Sequence, residues 1–475
     1  MHRLLPLLIA FVFSLCLALL PAPVWATVAA GSSVIPGASL SLWWALPFGG
    51  MLASLALLPL LAPHFWEAHY GKVALGWSLC TTLSLTIAFG MPLAQGPILG
   101  TFFHHYLPFI IMIGALYTIS GGIHLEIDSP ATPLVNTTLL AIGTFLAGWI
   151  GTTGASMLLI RPLLHINRHR TYHVHQVIFF IFLIGNIGGA LTPLGDPPLF
   201  IGFLNGVPFS WPLENLALQT FSISLVLLIL FYVSDSYFAF REGGGRLKSV
   251  RPRMKVKGSG NGFLFLCVIG LVVFSGLWTP DVHVIIGGVS FELQHMVRDV
   301  ALVGVTLLSW FLTPAGIHKA NAFSWEPLAE VIKLFFGIFM TVIPVVAILD
   351  AGLSGAMAPL IALVDQAGHP QNAMYFWLSG GLSAFLDNAP TYLVFFHMAG
   401  GEASVLTSTF ARTLEAISLG AVFMGAMTYI GNAPNFMVKA IAERHKIKMP
   451  SFFGYMAWSL GILLPLFILL SWWRF

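Results

Sequence analysis

Two acidic residues stand beside interruptions in strongly apolar sequence. Asp196 lies in Gly185-Asn186-Ile187-Gly188-Gly189-Ala190-Leu191-Thr192-Pro193-Leu194-Gly195-Asp196-Pro197-Pro198, and Asp387 in Phe385-Leu386-Asp387-Asn388-Ala389-Pro390-Thr391-Tyr392. Two more interruptions carry only neutral polar groups, Gly151-Thr152-Thr153-Gly154-Ala155-Ser156 and Gly431-Asn432-Ala433-Pro434-Asn435. Proline removes a backbone donor and glycine allows turns a helix cannot make, so each stretch frees carbonyls and helix ends. Freed carbonyls, together with the oxygens of Thr152, Thr153, Ser156, Asn186, Thr192, Asn388, Thr391, Asn432 and Asn435, make a shell for a hard cation. A carboxylate at that depth is costly unless a cation matches it. The chemistry expected is therefore reversible binding of Na+ near Asn186, Asn388 and Asn432, with Asp387 and Asp196 taking up and releasing a proton. Taken singly, such residues also pack membrane helices and cap broken ends. Four interruptions in matching places, with the Gly-Asn pairs at 185/186 and 431/432 as counterparts, point to a site.

The elements that position these groups follow from composition. Of 475 residues 57% are hydrophobic and 8% charged, against about 25% charged in a soluble domain. The expected fold is an all-α polytopic membrane protein. Apolar runs near the roughly 20 residues needed to cross a bilayer place spans near 41–62, 73–90, 105–123, 176–205, 219–238, 263–278, 297–313, 331–350, 412–441 and 452–473. The stretches 134–164 and 373–400 carry Gly, Thr, Asn and Pro at their middles and read as re-entrant helical hairpins.

The charge rule supports hairpins, because a hairpin returns the chain to its side of origin. With Thr27 outside, all Lys and Arg except Arg298, Arg412 and Arg474 fall on the cytoplasmic side. The order in each half is then three spans, a hairpin and two spans, entering from opposite sides: an inverted-topology repeat, with halves 27–240 and 261–475. Between them, 241–260 is a Gly-rich basic linker, read as a solvated loop near anionic headgroups. Residues 1–26 pair Arg3 with an apolar stretch and end in Val24-Trp25-Ala26, fitting a signal peptide or a first helix. The expected location is the bacterial inner membrane, multi-pass.

Other residues offer less chemistry. Cys16, Cys80 and Cys267 form neither a disulfide framework nor a zinc motif. His165, His169, His173 and His175 fall in a predicted cytoplasmic loop and read as solvated. Glu415, three residues after Arg412, reads as its local partner. A net charge of +3 gives nucleic-acid binding no support. No His-Glu-x-x-His or Gly-x-Ser-x-Gly motif suggests an enzyme.

Asn186 to Pro198, Asp387 to Tyr392 and Tyr429 to Asn435 resemble NhaD-type sodium/proton antiporters and citrate-transporter-like proteins of the ion transporter superfamily, over nearly the whole chain after residue 26. The resemblance implies a homodimer in which a scaffold holds a mobile transport part, with elevator-like alternating access and no cofactor beyond the transported Na+ and H+. It also implies a Ser-Asn-Thr motif at each hairpin tip. Here the second tip offers Asp387, Asn388 and Thr391, while the first offers Thr152, Thr153 and Ser156 without asparagine. That departure, with two carboxylates beside the breaks, favours Na+ or Li+/H+ antiport. Sodium-coupled symport of citrate, another dicarboxylate or an inorganic anion is the alternative. In either case the partners are small ions or a small anion and the lipid bilayer.

Overall fold

The computed structural model describes residues 35–242, 253–286, 289–366 and 369–475. The N-terminal 1–26 segment and the linker centre 243–252 lie outside them. Among the described residues, ten helices are long and apolar enough to cross a membrane. They overlap every span expected from sequence except 412–441, which is divided between Ala411–Met424 and Ala433–Arg444 and so is too short in either piece. The helix Pro133–Ile150, expected as one arm of a hairpin, is itself among the ten.

The chain opens with α1 (Leu46–Leu61), α2 (Pro63–Phe89) and α3 (Met91–Gly100). A π-helical turn, Thr101–Tyr106, joins α3 to α4 (Leu107–Gly121). Next come α5 (Pro133–Ile150) and α6 (Thr152–Ile166), then α7 (Val174–Leu183), α8 (Pro197–Leu204) and α9 (Trp211–Arg241). The second half holds α10 (Gly260–Leu277), α11 (Leu293–Leu312), α12 (Ala315–Ala320), α13 (Glu326–Asp350) and α14 (Ala358–Val364). It ends with α15 (Asn372–Ser383), α16 (Asn388–Met398), α17 (Ala403–Leu406), α18 (Ala411–Met424), α19 (Ala433–Arg444) and α20 (Phe452–Arg474).

Local sequence sets the joints. Thr132 caps α5 by accepting from Val135 N at 3.2 Å. Asp387 caps α16 by accepting from Ala389 N at 3.1 Å. Between α5 and α6 the single residue Gly151 reverses the chain at φ +83°, a conformation that glycine reaches without strain.

The core runs through α7 and the segment after it, where Val177 to Ile184 is wholly buried. Ile87, Phe240 and Phe311 instead expose most of their side chains. That is the surface a helix presents to lipid, since hydrocarbon rather than water is its solvent. Part of the linker expected as a solvated loop is ordered: Arg253–Lys257 pairs antiparallel with His124–Asp128. Lys257 Nζ donates to Glu126 Oε1 at 2.5 Å across that ribbon, and this hydrogen bond holds the exposed Glu126 carboxyl below its usual pKa.

Candidate functional site

At residues 184–196 and 425–432 the helices give way to short 3-10 turns and extended backbone, each followed by a new helix, α8 and α19. The two turns are built alike. Thr192 Oγ1 donates to Gly148 O at 2.5 Å and Thr428 Oγ1 to Ala384 O at 2.5 Å, each bond spanning 44 residues. Each threonine oxygen then accepts from the N–H two residues on, Leu194 N and Ile430 N, at 3.2 Å. Gly195 and Gly431 finish the turns: a Cβ would stand 2.2 Å from Gly189 O in the first and 2.6 Å from Gly425 O in the second. No side chain fits at either distance.

This register corrects the pairing expected from sequence. Gly195-Asp196, and not Gly185-Asn186, occupies the place that Gly431-Asn432 occupies in the other half. Asp196 and Asn432, 236 residues apart, hydrogen-bond to each other, Asn432 Nδ2 to Asp196 Oδ1 at 3.1 Å.

Asp196 and Asn432 occupy the N-cap positions of α8 and α19, yet neither side chain caps its helix. Both turn into a shared centre. Asp196 Oδ1 also accepts from Thr152 Oγ1 at 2.9 Å, and Oδ2 accepts from Asn388 Nδ2. Thr152 and Asn388 are the first residues of α6 and α16. Four helix N-termini thus meet here: the N-cap residues of α8 and α19 and the first residues of α6 and α16, with Asp196 supplying the carboxylate and the other three donating to it. The dipoles of these four helix ends favour negative charge there, each by about 0.3–1 kcal/mol.

A chain of amides extends from this centre. Asn432 Nδ2 also lies 3.1 Å from Gly185 O and 3.3 Å from Asn186 Oδ1. Asn186 Nδ2 donates to Asn435 Oδ1 at 2.7 Å, and Asn435 Nδ2 donates to Gly425 O and Thr428 O. Asn388 Oδ1 is buried without a partner. An orphaned amide oxygen beside a buried carboxylate is the donor type a hard cation seeks.

Of the residues singled out in the sequence, Thr152, Asn186, Asp196, Asn388, Asn432 and Asn435 meet in this network. Thr192 supports it through its turn. Asp387 and Thr391 serve α16 locally, Thr391 Oγ1 donating to Asp387 O at 3.0 Å. Thr153 is half-buried and makes no bond to the network, and Ser156 Oγ is buried without a partner. Sequence reasoning did not single out Thr428, although its spacing before Gly431 repeats that of Thr192 before Gly195.

Two side readings are corrected. Glu415 accepts from Arg474 Nε at 2.5 Å and from Gln219 Nε2, not from Arg412. His175 is not solvated: it is buried, with Nε2 2.8 Å from Asp235 Oδ1.

Ten helices among the described residues that are long and apolar enough to cross a bilayer, together with a buried polar centre, indicate a multi-pass membrane protein. The family described as "Putative citrate transport" matches residues 37–475, and the chain belongs to that family. It stands among secondary transporters of citrate-like substrates. No curated protein was found to match it.

Proposed function

We propose that the protein exchanges Na+ or Li+ for protons at Asp196, moving the site between the two sides of the membrane by an elevator-like displacement. The observation that carries this reading is the company Asp196 keeps. Its carboxylate is buried where four helix ends point, and its hydrogen-bond partners Thr152, Asn388 and Asn432 are all neutral. Among the described residues no lysine or arginine compensates it there. Taking a carboxylate out of water costs several kcal/mol, so either a proton or a small cation settles its charge. Turning the Asn388 and Asn432 amides through half a rotation would present oxygens in place of N–H groups and complete a cation shell. Proton and cation then compete for one carboxylate, and competition couples their fluxes.

In this proposal Asp387 adjoins the site as a second acidic group, and Thr153 and Ser156 line the approach along α6. The repeated turns support two halves of inverted topology. The dimer, the inner-membrane location and the scaffold division follow the family resemblance. A second reading has its own support: the family's description concerns citrate, and four helix N-termini could receive a substrate carboxylate once Asp196 is neutralised. That reading is sodium-coupled symport of citrate, another dicarboxylate or an inorganic anion.

Proteoliposomes with an imposed proton gradient separate the two. Lumenal pH is followed as Na+, Li+, K+ or citrate is added, for wild type, Asp196→Asn and Asp387→Asn. Antiport requires proton movement driven by Na+ or Li+ without citrate and lost in Asp196→Asn, with a smaller change in Asp387→Asn. Citrate uptake with co-moving Na+ and no cation/proton exchange would overturn it in favour of symport.

A further inference from the structure

Helices α2 and α13 pack against each other, and both change character near their starts. His64, Glu67, His69 and Lys72 precede an uncharged run to Phe89 in α2, as Glu326, Glu330 and Lys333 precede one to Leu349 in α13. Charged residues in the first turns of a membrane helix sit at the depth of the headgroups. At that boundary a groove of about 520 Å³ lies between the two helices. Gly71 makes room for it: a Cβ there would stand 2.8 Å from Lys333 Cδ, so the lysine stem crosses α2 only because glycine leaves the space. Lys333 Nζ comes to rest 5.0 Å from the centre of the Tyr70 ring. Tyr106 closes the floor, its hydroxyl donating to Ile332 O at 3.0 Å.

The groove combines charges of both signs with an apolar track. Lys72 and Lys333 enter it from different helices, and Glu67 borders it. Glu330, one turn before Lys333, is near enough to Glu67 and Lys333 to interact with both charges. Among the described residues none of these four side chains is held in a hydrogen-bonded ion pair. Unpaired cations and carboxylates gathered at one interface suit a headgroup that itself carries both signs, the lysines taking a phosphodiester and a carboxylate taking a primary ammonium. A headgroup with negative charge alone would leave Glu67 unmatched. Below the charges, Leu75 and Phe336 continue the lining as carbon. Leu75, Leu79 and Leu83, four residues apart along one side of α2, each leave about half of the side chain uncovered. From Leu75 to Leu83 the helix rises about 12 Å at 1.5 Å per residue, close to the roughly 15 Å of hydrocarbon in one leaflet.

We infer that this groove binds one phospholipid with an ethanolamine headgroup, its phosphate between Lys72 and Lys333, its ammonium at Glu67 and an acyl chain along Leu75, Leu79 and Leu83. The site is separate from the Asp196 centre and does not depend on whether Asp196 serves antiport or symport.

The test is native mass spectrometry of the full-length protein in detergent, titrated with phosphatidylethanolamine, phosphatidylglycerol or phosphatidylcholine carrying identical acyl chains. Phosphatidylethanolamine should be retained most tightly. Lys72→Gln combined with Lys333→Gln should weaken its retention about 10-fold, the scale of a lost contact to a charged group. Glu67→Gln should erase the preference over phosphatidylglycerol, and Lys255→Gln, on the exposed ribbon, should change neither. All four side chains are exposed, so these exchanges leave the core intact. With Cys16, Cys80 and Cys267 replaced by serine, Leu79→Cys should remain monomeric under oxidation, because lipid and not protein covers it. The inference is overturned if the three lipids bind equally, if phosphatidylglycerol binds most tightly, or if the double variant retains phosphatidylethanolamine like wild type. It is equally overturned if Glu67→Gln keeps the preference, if Lys255→Gln weakens retention as much as the double variant, or if Leu79→Cys forms an intermolecular disulfide, which would assign the face to a second copy of the chain.

Discussion

Three carboxylates among the described residues are almost wholly withdrawn from solvent, Asp196 and Glu415 at 2% and Asp235 at 0% relative exposure; Glu415 is paired with Arg474, and the surroundings of Asp196 and Asp235 differ in kind. Asp235 Oδ1 lies 3.1 Å from the Arg170 guanidinium and 2.8 Å from His175 Nε2, while Gln176 and Asn136 donate to the same carboxylate. Glu242 completes the cluster, accepting from Arg170 Nε at 2.6 Å and from the backbone N–H groups of Thr171 and Tyr172. Asp235 is thus paired with a fixed cation and fastens α9 to the segment before α7. Asp196 has comparable burial and a comparable number of donors but no cation. A buried charge matched by its own protein is a structural joint; one matched only by neutral dipoles is where the proposed proton and cation would exchange.

Exchanging each carboxylate for its neutral isostere sharpens that contrast most. Asp196→Asn should abolish cation-driven proton movement in proteoliposomes while leaving the thermal unfolding temperature unchanged or raised, because a buried uncompensated charge is removed. Asp235→Asn should behave in the opposite way, lowering the unfolding temperature and protein yield while the folded fraction still transports. A transport loss in Asp235→Asn as complete as in Asp196→Asn, with normal stability, would break the comparison.

Removing the cation from the joint should have the next largest effect. Arg170→Met leaves both Asp235 and Glu242 without their partner, and breaking a buried pair typically costs about 3–5 kcal/mol. Thermal unfolding and protease resistance in detergent check this directly. Arg170→Lys should recover only part of the loss, since Arg170 reaches Asp235 through Nη2 and Glu242 through Nε, a fork that an ammonium cannot reproduce.

The same comparison explains what could be read in advance. The Asp196 centre was legible because breaking a membrane helix needs Gly and Pro, and these flank the polar residues in the chain itself. The Asp235 joint was not. Arg170 and His175 stand in a stretch crowded with His and Arg, which has the composition of a solvated loop, and their partner is 65 residues from Arg170. No local pattern encodes such a pairing. Register between the halves was also hidden: Gly-Asn recurs at 185/186 and 431/432, whereas the hydrogen-bonded turns align Asp196 with Asn432, two different residue types. Helix lengths were legible from hydropathy, but the breadth of α2 was not, since its first turns carry His64, Glu67 and His69. Hydropathy counts such residues against a span, while helix formation tolerates them.

A smaller effect is expected where a neutral amide, and not the carboxylate, is removed. Asn432 Nδ2 faces Gly185 O, Asn186 Oδ1 and Asp196 Oδ1, so Asn432→Ala leaves several buried acceptors short of a donor at about 1–3 kcal/mol. The half-saturating Na+ concentration should rise about 10-fold with residual exchange remaining, because Asp196 still offers its charge. Asn432→Asp would test the symmetry of the pair, placing a second carboxylate opposite the first and shifting the pH profile of exchange. Unaltered Na+ dependence in Asn432→Ala would remove the amide network from the site.

The smallest expected effect belongs to the two threonines that hold the turns. Thr192→Val and Thr428→Val keep the shape of the side chain and delete one hydroxyl, which donates to Gly148 O or Ala384 O and accepts from a backbone N–H. A net loss of about 1 kcal/mol is expected for each. If the turns are mechanical counterparts, the two substitutions should lower stability by similar amounts. Their effects on transport need not match, because the first turn presents the carboxylate of Asp196 and the second the amide of Asn432. Measured side by side, equal stability losses with a larger transport defect in Thr192→Val would assign the asymmetry of function to the turn position where Asp196 stands opposite Asn432. Equal defects in both would mean that the turns, and not the charge they carry, limit the cycle.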